Sequence, residues 1–209
     1  MALGITEWFI ILIAVSSVWG FQSKSWFDKG RFTAYEIVHK KAYWKLISHL
    51  FLHADIMHLV LNGAVLFMFG KEVERYLLKQ SNYGGAIYLF LLLGSGVFSS
   101  LYGLYKYRNQ PNYHAVGVSG SVSAVIFAFI AVYPAEPLRF ILFPMIDIPG
   151  FVIGIAYLSY SWYMARRKLD NIGHDAHFLG AVFGLFFMFI YLPRLFVEFW
   201  ETIGSFVPG

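Results

Sequence analysis

The sequence predicts an all-α, polytopic membrane protein, a single domain (1–209) built as a bundle of six transmembrane helices. Hydrophobic residues make up 58% of the 209-residue chain, and charged residues only 13%. A soluble domain carries about 25% charged residues, and a bilayer core excludes charge, so this deficit is a strong sign of a membrane protein. Six long apolar stretches separate the charged residues, and their continuity favours helices over the alternating pattern of a membrane barrel.

The apolar stretches define the expected spans, because a helix needs about 20 residues to cross the hydrocarbon. The expected spans are 5–21, 50–70, 84–105, 116–133, 148–165 and 175–192. Between the first two spans, residues 22–49 form a long loop in which aromatic residues alternate with lysines and arginine. That composition is typical of the headgroup region, so we expect the loop to lie on one leaflet of the bilayer.

Composition also excludes several functions. The chain has no cysteine, which removes disulfides, thiolate nucleophiles and cysteine-based metal sites. Its 16 basic residues are spread between the apolar stretches and form no dense stripe, so we expect no nucleic-acid partner. The N-terminus lacks the basic segment and cleavage site of a secretory signal, and we expect the first apolar stretch to remain in the protein.

Polar residues occur at the start of the second span, where lipid-facing helices rarely carry them. His58 and Asn62 are four residues apart and should share a helix face, and His49 and His53 have the same spacing. One interpretation is interfacial histidines with an asparagine that binds a neighbouring helix. Another is a zinc site, but the glutamate of the HExxH motif is missing. We therefore expect no metal.

The fourth span opens with Gly117, Val118, Ser119 and Gly120. A GxSG tetrapeptide alone is a weak signal, because glycine and serine are common in packed membrane helices. It also differs from the GxSxG elbow of soluble hydrolases. Its position nevertheless suits chemistry, because we expect Ser119 at a helix N-terminus. Unpaired N–H groups there favour negative charge and would stabilise an oxyanion.

The sixth span opens with a histidine above two glycines on one helix face. His177, Gly180 and Gly184 lie at i, i+3 and i+7. The fourth span carries a matching stripe of small residues at Gly120, Ala124, Ala128 and Ala131. If the two stripes pack together, His177 comes close to Ser119. Small residues permit such packing, but packing alone does not explain a histidine at the top of the stripe.

A serine hydroxyl is a poor nucleophile unless a base lies within about 2.6–3.2 Å to take its proton. His177 is the candidate base for Ser119. His58, Asn62 and the backbone N–H of Ser119 are candidate donors to the oxyanion. Asp175 stands two residues before the histidine and is expected to point elsewhere, so we expect a dyad that uses no cofactor.

The order of the motifs is more specific than any of them alone. HxxxxHxxxN, GxSG and AHxxGxxxG each begin a different apolar stretch, and together they resemble the rhomboid family of intramembrane proteases. The resemblance extends from residue 44 to residue 184. It implies that Ser119 is the nucleophile, that His177 is its base, and that His58 and Asn62 stabilise the oxyanion.

The same resemblance implies two supporting roles. His53 matches a histidine that orders the first loop and the cavity, and Gly117 matches a glycine that lets the substrate backbone approach. The chain departs from the family in two places. Trp44 is followed by Lys45, where relatives often have arginine, and lysine cannot make a planar bidentate contact. Ser123 stands where relatives often have an aromatic ring against the histidine.

By this resemblance, the protein would hydrolyse peptide bonds in or near transmembrane segments of membrane-protein substrates, its partners besides the bilayer. Water would enter from one face, substrate would arrive from the lipid, and the fifth span would be a mobile gate. The alternatives are a catalytically inactive relative that binds membrane clients, and a small transporter, which would need no Ser–His pair. The oligomeric state is not predicted.

The resemblance and the charge distribution disagree about orientation. The family arrangement puts the N-terminus in the cytoplasm and the active site on the opposite side. Eleven lysines and arginines then lie in outside loops, against five on the inside, contrary to the positive-inside rule. We favour the family orientation, because the basic first loop can bind lipid headgroups. We expect a multi-pass protein of a prokaryotic inner membrane.

Overall fold

A computed structural model describes residues 3–140, 143–167 and 172–206 and shows a helical bundle. Its α-helices are α1 (Ile5–Gln22), α2 (Lys24–Gly30), α3 (Ala34–His39), α4 (Lys45–Ser48), α5 (Ile56–Val65), α6 (Lys71–Gln80), α7 (Gly84–Tyr107), α8 (Ser119–Val132), α9 (Gly150–Arg167), α10 (His174–Tyr191) and α11 (Arg194–Gly204). An antiparallel pair of strands, β1 (Pro137–Phe140) and β2 (Phe143–Pro149), connects α8 to α9. The predicted all-α, polytopic class is confirmed.

Helices occupy the regions of all six expected spans. Among the described residues, four helices are long and apolar enough to cross a membrane: Ile5–Gln22, Ile56–Gln80, Gly84–Tyr107 and His174–Tyr191. The apolar α8 is shorter, and α9, in the region of the fifth span, carries more hydroxyl groups. The chain is therefore an integral membrane protein.

The second span begins later than the sequence predicted. Its helix starts at Ile56 and not at residue 50, because the Asp55 carboxylate caps it by accepting the backbone N–H of His58 at 2.8 Å. His49–Phe51 forms a separate 3-10 turn, so His49 and His53 do not share a helix face as their spacing had indicated. Beyond Leu66–Gly70, a π-helical turn, the same helix continues to Gln80.

The first loop, residues 22–49, contains α2, α3 and α4 packed around a buried lysine. The Lys45 ammonium donates to the carbonyl oxygens of Asp28 at 2.8 Å and Arg31 at 3.2 Å, and it pairs with Glu36 at 3.0 Å. Three donors thus meet three acceptors, as the geometry of an ammonium allows. Lysine at this position anchors the loop without a guanidinium, and the Lys45 contact lowers the pKa of the Glu36 carboxyl.

The centre of the bundle is α8, which is buried on almost every side. A helix that is apolar all round belongs in a core, and here α7 and α10 flank it. The 14 residues of α8 rise about 21 Å, which is less than the ~30 Å thickness of the hydrocarbon. One end of α8 must therefore lie below the bilayer surface if the other end reaches the opposite surface.

The closest packing in the bundle lies between α8 and α10. An added Cβ at Gly180 would overlap the carbonyl group of Gly120, and one at Gly184 would overlap the carbonyl group of Ala124. Only glycine permits this backbone-to-backbone contact. The predicted packing of the two small-residue stripes is therefore found between these helices.

The connector after α8 contains four prolines between residues 134 and 149, and part of it forms a short antiparallel ribbon. Pro137 pairs with Pro149 and Leu138 with Ile148 in antiparallel register. Proline is tolerated there because a two-stranded ribbon consists only of edge strands.

Glu74 lies on α6, near the end of the Ile56–Gln80 span, and it binds the start of α1. Its buried carboxylate accepts the backbone N–H groups of Ile5 at 2.7 Å and Thr6 at 2.9 Å, and also the Thr6 hydroxyl. A carboxylate at a helix N-terminus satisfies donors that the helix leaves open. This contact joins α1 to α6.

We expect Gly184→Ala to destabilise the fold, because its methyl group would overlap the backbone of Ala124. Such overpacking lowers the free energy of unfolding by about 1–3 kcal/mol. The measurement is the thermal unfolding midpoint in detergent. Gly204→Ala is the matched control, because nothing lies within 4 Å of an added Cβ there. Equal midpoints for the two variants would contradict the packing argument.

Candidate active site

The candidate nucleophile lies at the start of α8, as the sequence predicted. Ser119 is the first residue of this helix and is half-buried. Gly117, two residues before it, has a φ of 116° and donates its N–H to the carbonyl of His49 at 3.0 Å. A positive φ of this size favours glycine, so the turn that leads into α8 depends on residue 117.

The His58 side chain lies directly over this turn. A Cβ added at Gly117 would stand 2.7 Å from Cε1 of His58 and 3.0 Å from its Nε2. The imidazole is therefore in contact with the backbone two residues before Ser119. Asn62 follows one turn later on the same helix, and it is buried.

The side-chain amide of Asn62 has a buried N–H donor without a hydrogen-bond acceptor in the described part of the chain, which is unusual for a residue that only stabilises the fold. Its amide nitrogen Nδ2 is buried and has no hydrogen-bond partner within the described ranges of the chain. Such a group is costly in a fold. It is consistent with a donor reserved for a group that develops charge during a reaction.

His53 precedes α5 and contacts side chains of both α1 and α5. It is fully buried, with its Nδ1 2.8 Å from the Ser17 hydroxyl on α1, and its ring meets His58 edge-on with centroids 4.9 Å apart. Within the described residues, no group of three histidine or acidic side chains could hold a metal ion. The contacts of His53 are those of a support for the His58 ring.

His49 supports the same region from the first loop. Its buried ring binds the carbonyl of Lys45 through Nδ1 at 2.8 Å and packs edge-on against Phe32. Burial in this apolar setting lowers the pKa of His49 to about 4, so the ring is neutral near pH 7. Because its own carbonyl holds Gly117, the first loop is tied to the start of α8.

The candidate base, His177, lies in the first turn of α10, beside the start of α8. Ala176, which precedes His177, has its carbonyl oxygen 3.6 Å from the position of a Cβ at Gly120, which follows Ser119. The two helix starts therefore lie side by side. A Cβ at Gly120 would also overlap the Ser99 hydroxyl of α7, so this glycine fits between two neighbouring helices.

A residue that the sequence argument missed lies against the candidate base. The buried His174 ring meets the His177 ring edge-on at 5.9 Å, and on its other side it meets Tyr160 of α9 at 5.5 Å. The sequence did contain a signal, because residues three apart on a helix lie on neighbouring positions of one face.

The second departure from the family pattern, Ser123, also has a local explanation. Its hydroxyl donates to the carbonyl of Ser119 at 3.0 Å and lies 2.6 Å from the Tyr157 hydroxyl of α9. This hydrogen bond brings an aromatic residue of α9 to the first turn of α8. Sequence spacing could not reveal the pair, because 34 residues separate its members.

Asp175 is engaged away from the candidate base. One carboxylate oxygen lies 3.5 Å from the Lys106 ammonium on α7, and the other accepts the backbone N–H of Ala176. These contacts agree with the expectation that its carboxylate points elsewhere.

Comparison with known proteins gives the class of this protein. The family model for the Rhomboid domain matches residues 40–194, which is most of the chain. The chain therefore belongs to the rhomboid family, and the integral membrane bundle described above is that of a rhomboid domain.

Particular relatives are found in animals, plants and bacteria. Rhomboid-related protein 1 of Caenorhabditis elegans is 32% identical over 157 residues, 71% of this chain and 40% of that protein. RHOMBOID-like protein 12, mitochondrial, of Arabidopsis thaliana is 28% identical over 65% of this chain and 43% of its own length. Rhomboid protease GluP of Bacillus subtilis (strain 168) is 26% identical over 70% of this chain and 26% of its own length. The chain spans less than half the length of these three curated relatives.

The neutral state of His49 should make stability depend on pH. Its folded pKa of about 4 lies below the ordinary value of 6.5, so below pH 6.5 the unfolded chain takes up a proton that the folded chain does not. This contribution is complete above pH 6.5 and is lost as the pH falls to 4, about 3 kcal/mol in all.

The measurement is the unfolding midpoint in detergent from pH 7.5 to 4, compared between the wild type and His49→Asn. We expect the midpoint of the wild type to fall more steeply with acidification. His114→Asn, at an exposed position, should follow the wild type. Parallel curves for the wild type and His49→Asn would contradict the assignment.

Proposed function

We propose that the protein is an intramembrane serine endopeptidase that uses a dyad of Ser119 and His177. The observation that carries this proposal is the backbone contact of Gly180 and Gly184 with α8, which sets the starts of α8 and α10 side by side. Ser119 begins one of these helices and His177 lies in the first turn of the other. The relative that is named rhomboid protease GluP supports the same conclusion.

In the proposed first step, the Ser119 hydroxyl attacks the scissile carbonyl while the His177 imidazole takes its proton. The carbonyl oxygen then gains a negative charge. The N–H of Ser119 at the helix start, the Asn62 amide and the His58 ring are the proposed donors to it. Two observations support these roles. The amide nitrogen of Asn62 has no hydrogen-bond partner among the described residues, and the His58 ring lies against Gly117.

The tetrahedral intermediate then collapses. The C–N bond breaks, and the new amine takes the proton from His177, which leaves the substrate carbonyl as an ester on Ser119. A water molecule next gives a proton to the same imidazole and attacks the ester. The peptide acid leaves, and the serine regains its proton. The two half-reactions together consume one water molecule per bond.

The proposed substrates are membrane proteins cut in or near a transmembrane segment. A short α8 would hold Ser119 below the membrane surface, at a depth that a transmembrane segment can reach. A helix hides its carbonyl groups in hydrogen bonds, so a favoured substrate would unwind easily at the cut. The positive-φ turn at Gly117 would let a substrate backbone approach, and α9 would be the element that moves aside.

As part of this proposal, the N-terminus faces the cytoplasm of a prokaryotic cell and the active site faces outward. This orientation follows the family arrangement. The buried Lys45 takes one of the eleven outside cations out of the opposing count, because its charge is matched within the loop by Glu36 and two carbonyls. A matched lysine adds little to a topological signal based on free positive charge.

The first test uses Ser119→Ala and His177→Ala in liposomes that contain a model transmembrane substrate. We expect both variants to lose cleavage, because each removes one member of the dyad. A fluorophosphonate probe should label the wild type at Ser119 but not the variant that lacks His177.

Ser100→Ala and His114→Ala serve as matched controls. Ser100 binds a carbonyl of its own helix, and His114 is exposed, so both variants should cleave normally. Cleavage that survives either dyad substitution would refute the mechanism. Substrate binding by a wild type that neither cleaves nor reacts with the probe would identify an inactive client-binding relative.

A second test measures the oxyanion donors. Asn62→Ala should lower kcat by roughly 10²-fold, the effect of losing one such donor, with a small change in KM. It should weaken cleavage and not abolish it, because other donors remain. Asn109→Ala, which changes an exposed asparagine that contacts His39, is the control. An unchanged kcat in Asn62→Ala would remove this residue from the site.

A further inference from the structure

An open groove lies between α9 and α10, beside the candidate active site. Its volume is about 470 Å³, within the range of sites that hold small ligands. The lining residues are Leu158, Ser159, Trp162, Tyr163 and Phe178. Four of these five side chains are apolar or aromatic, which suits an acyl chain. Phe178 directly follows the candidate base in the sequence.

Two arginines in the last turn of α9 stack on aromatic residues that line the groove. The Arg166 guanidinium lies 3.8 Å from the ring centre of Trp162, and that of Arg167 lies 5.3 Å from the ring of Tyr163. Both arginines are exposed, and within the described parts of the chain neither one forms a salt bridge.

This arrangement leaves the donors of the guanidinium groups available. A guanidinium that stacks on a ring uses its face and directs its N–H groups outward from the edge. Those N–H groups match the oxygens of a phosphate. The sequence of α9 contains no acidic residue that would compete for them or repel an anion.

From the groove and its two arginines, we propose that this surface binds one anionic phospholipid. The headgroup phosphate is held by Arg166 and Arg167, and an acyl chain lies along Leu158, Trp162 and Phe178. Since the arginines end α9 and Phe178 belongs to the first turns of α10, the lipid belongs to the same leaflet as the candidate active site. It would fill the groove between α9 and α10.

This inference goes beyond the proposed protease function and does not depend on it. The first experiment therefore counts bound lipid by native mass spectrometry of the 209-residue chain in detergent. Phosphatidylglycerol and phosphatidylcholine with identical acyl chains are added separately. We expect the wild type to retain one phosphatidylglycerol in preference to phosphatidylcholine.

The variants separate the contributions of charge and shape. The double substitution Arg166→Gln with Arg167→Gln should weaken retention roughly 30-fold, because two cations beside an anionic headgroup are lost. Ser159→Trp keeps every charge but fills the groove, and it should also prevent retention. Lys40→Gln with Lys41→Gln removes the same charge from the exposed first loop, and retention should match the wild type.

Three results would overturn the proposal: equal retention of the two lipids by the wild type, wild-type retention in the double arginine variant, or loss of retention only in the lysine control.

A second experiment identifies the occupant of the groove in a bilayer. A photoreactive phenylalanine analogue at position 159, in vesicles of phosphatidylglycerol and phosphatidylcholine that also contain a model transmembrane peptide, should form a phosphatidylglycerol adduct. A predominant adduct with the peptide would mean that the groove receives a protein segment, and it would refute the lipid site.

Discussion

The contact between the backbones of α8 and α10 is the constraint on which the rest of the structure depends. Lipid offers no hydrophobic drive for two helices to associate, so close van der Waals packing must supply the attraction. Gly180 and Gly184 allow α10 to touch the carbonyl groups of Gly120 and Ala124. Because the contact starts in the first turn of α8, it also decides which side chains can meet there.

Around this contact, polar groups of the first loop and of the residues just before α5 are buried, and each binds a partner within the protein. The His49 carbonyl binds the turn at Gly117, and His53 binds the hydroxyl of Ser17. Buried polar groups must find partners within the protein. The ammonium of Lys45 follows the same principle. The first loop is therefore a scaffold for the start of α8 as well as a connection between two spans.

In contrast to α10, α9 is joined to the core mainly through side chains. Tyr157 reaches the hydroxyl of Ser123, and Tyr160 meets His174 through ring edges. Separating such contacts disturbs less of the structure than separating two helix backbones in direct contact, and elements with fewer buried contacts open at lower free energy. Of the helices around α8, α9 is therefore better suited than α10 to the movement that the proposed mechanism requires.

The sequence alone determined the helical class, the regions of the four long apolar helices and the glycine stripe of α10, because helical periodicity and hydropathy are local properties. It also indicated Ser119 and His177 as a pair, and their roles in catalysis stay predictions. Tertiary structure decided that Lys45 is matched by three acceptors and that Ser123 meets Tyr157. These partners lie up to 34 residues apart in the chain, and no periodic pattern specifies a contact between segments that only packing brings together.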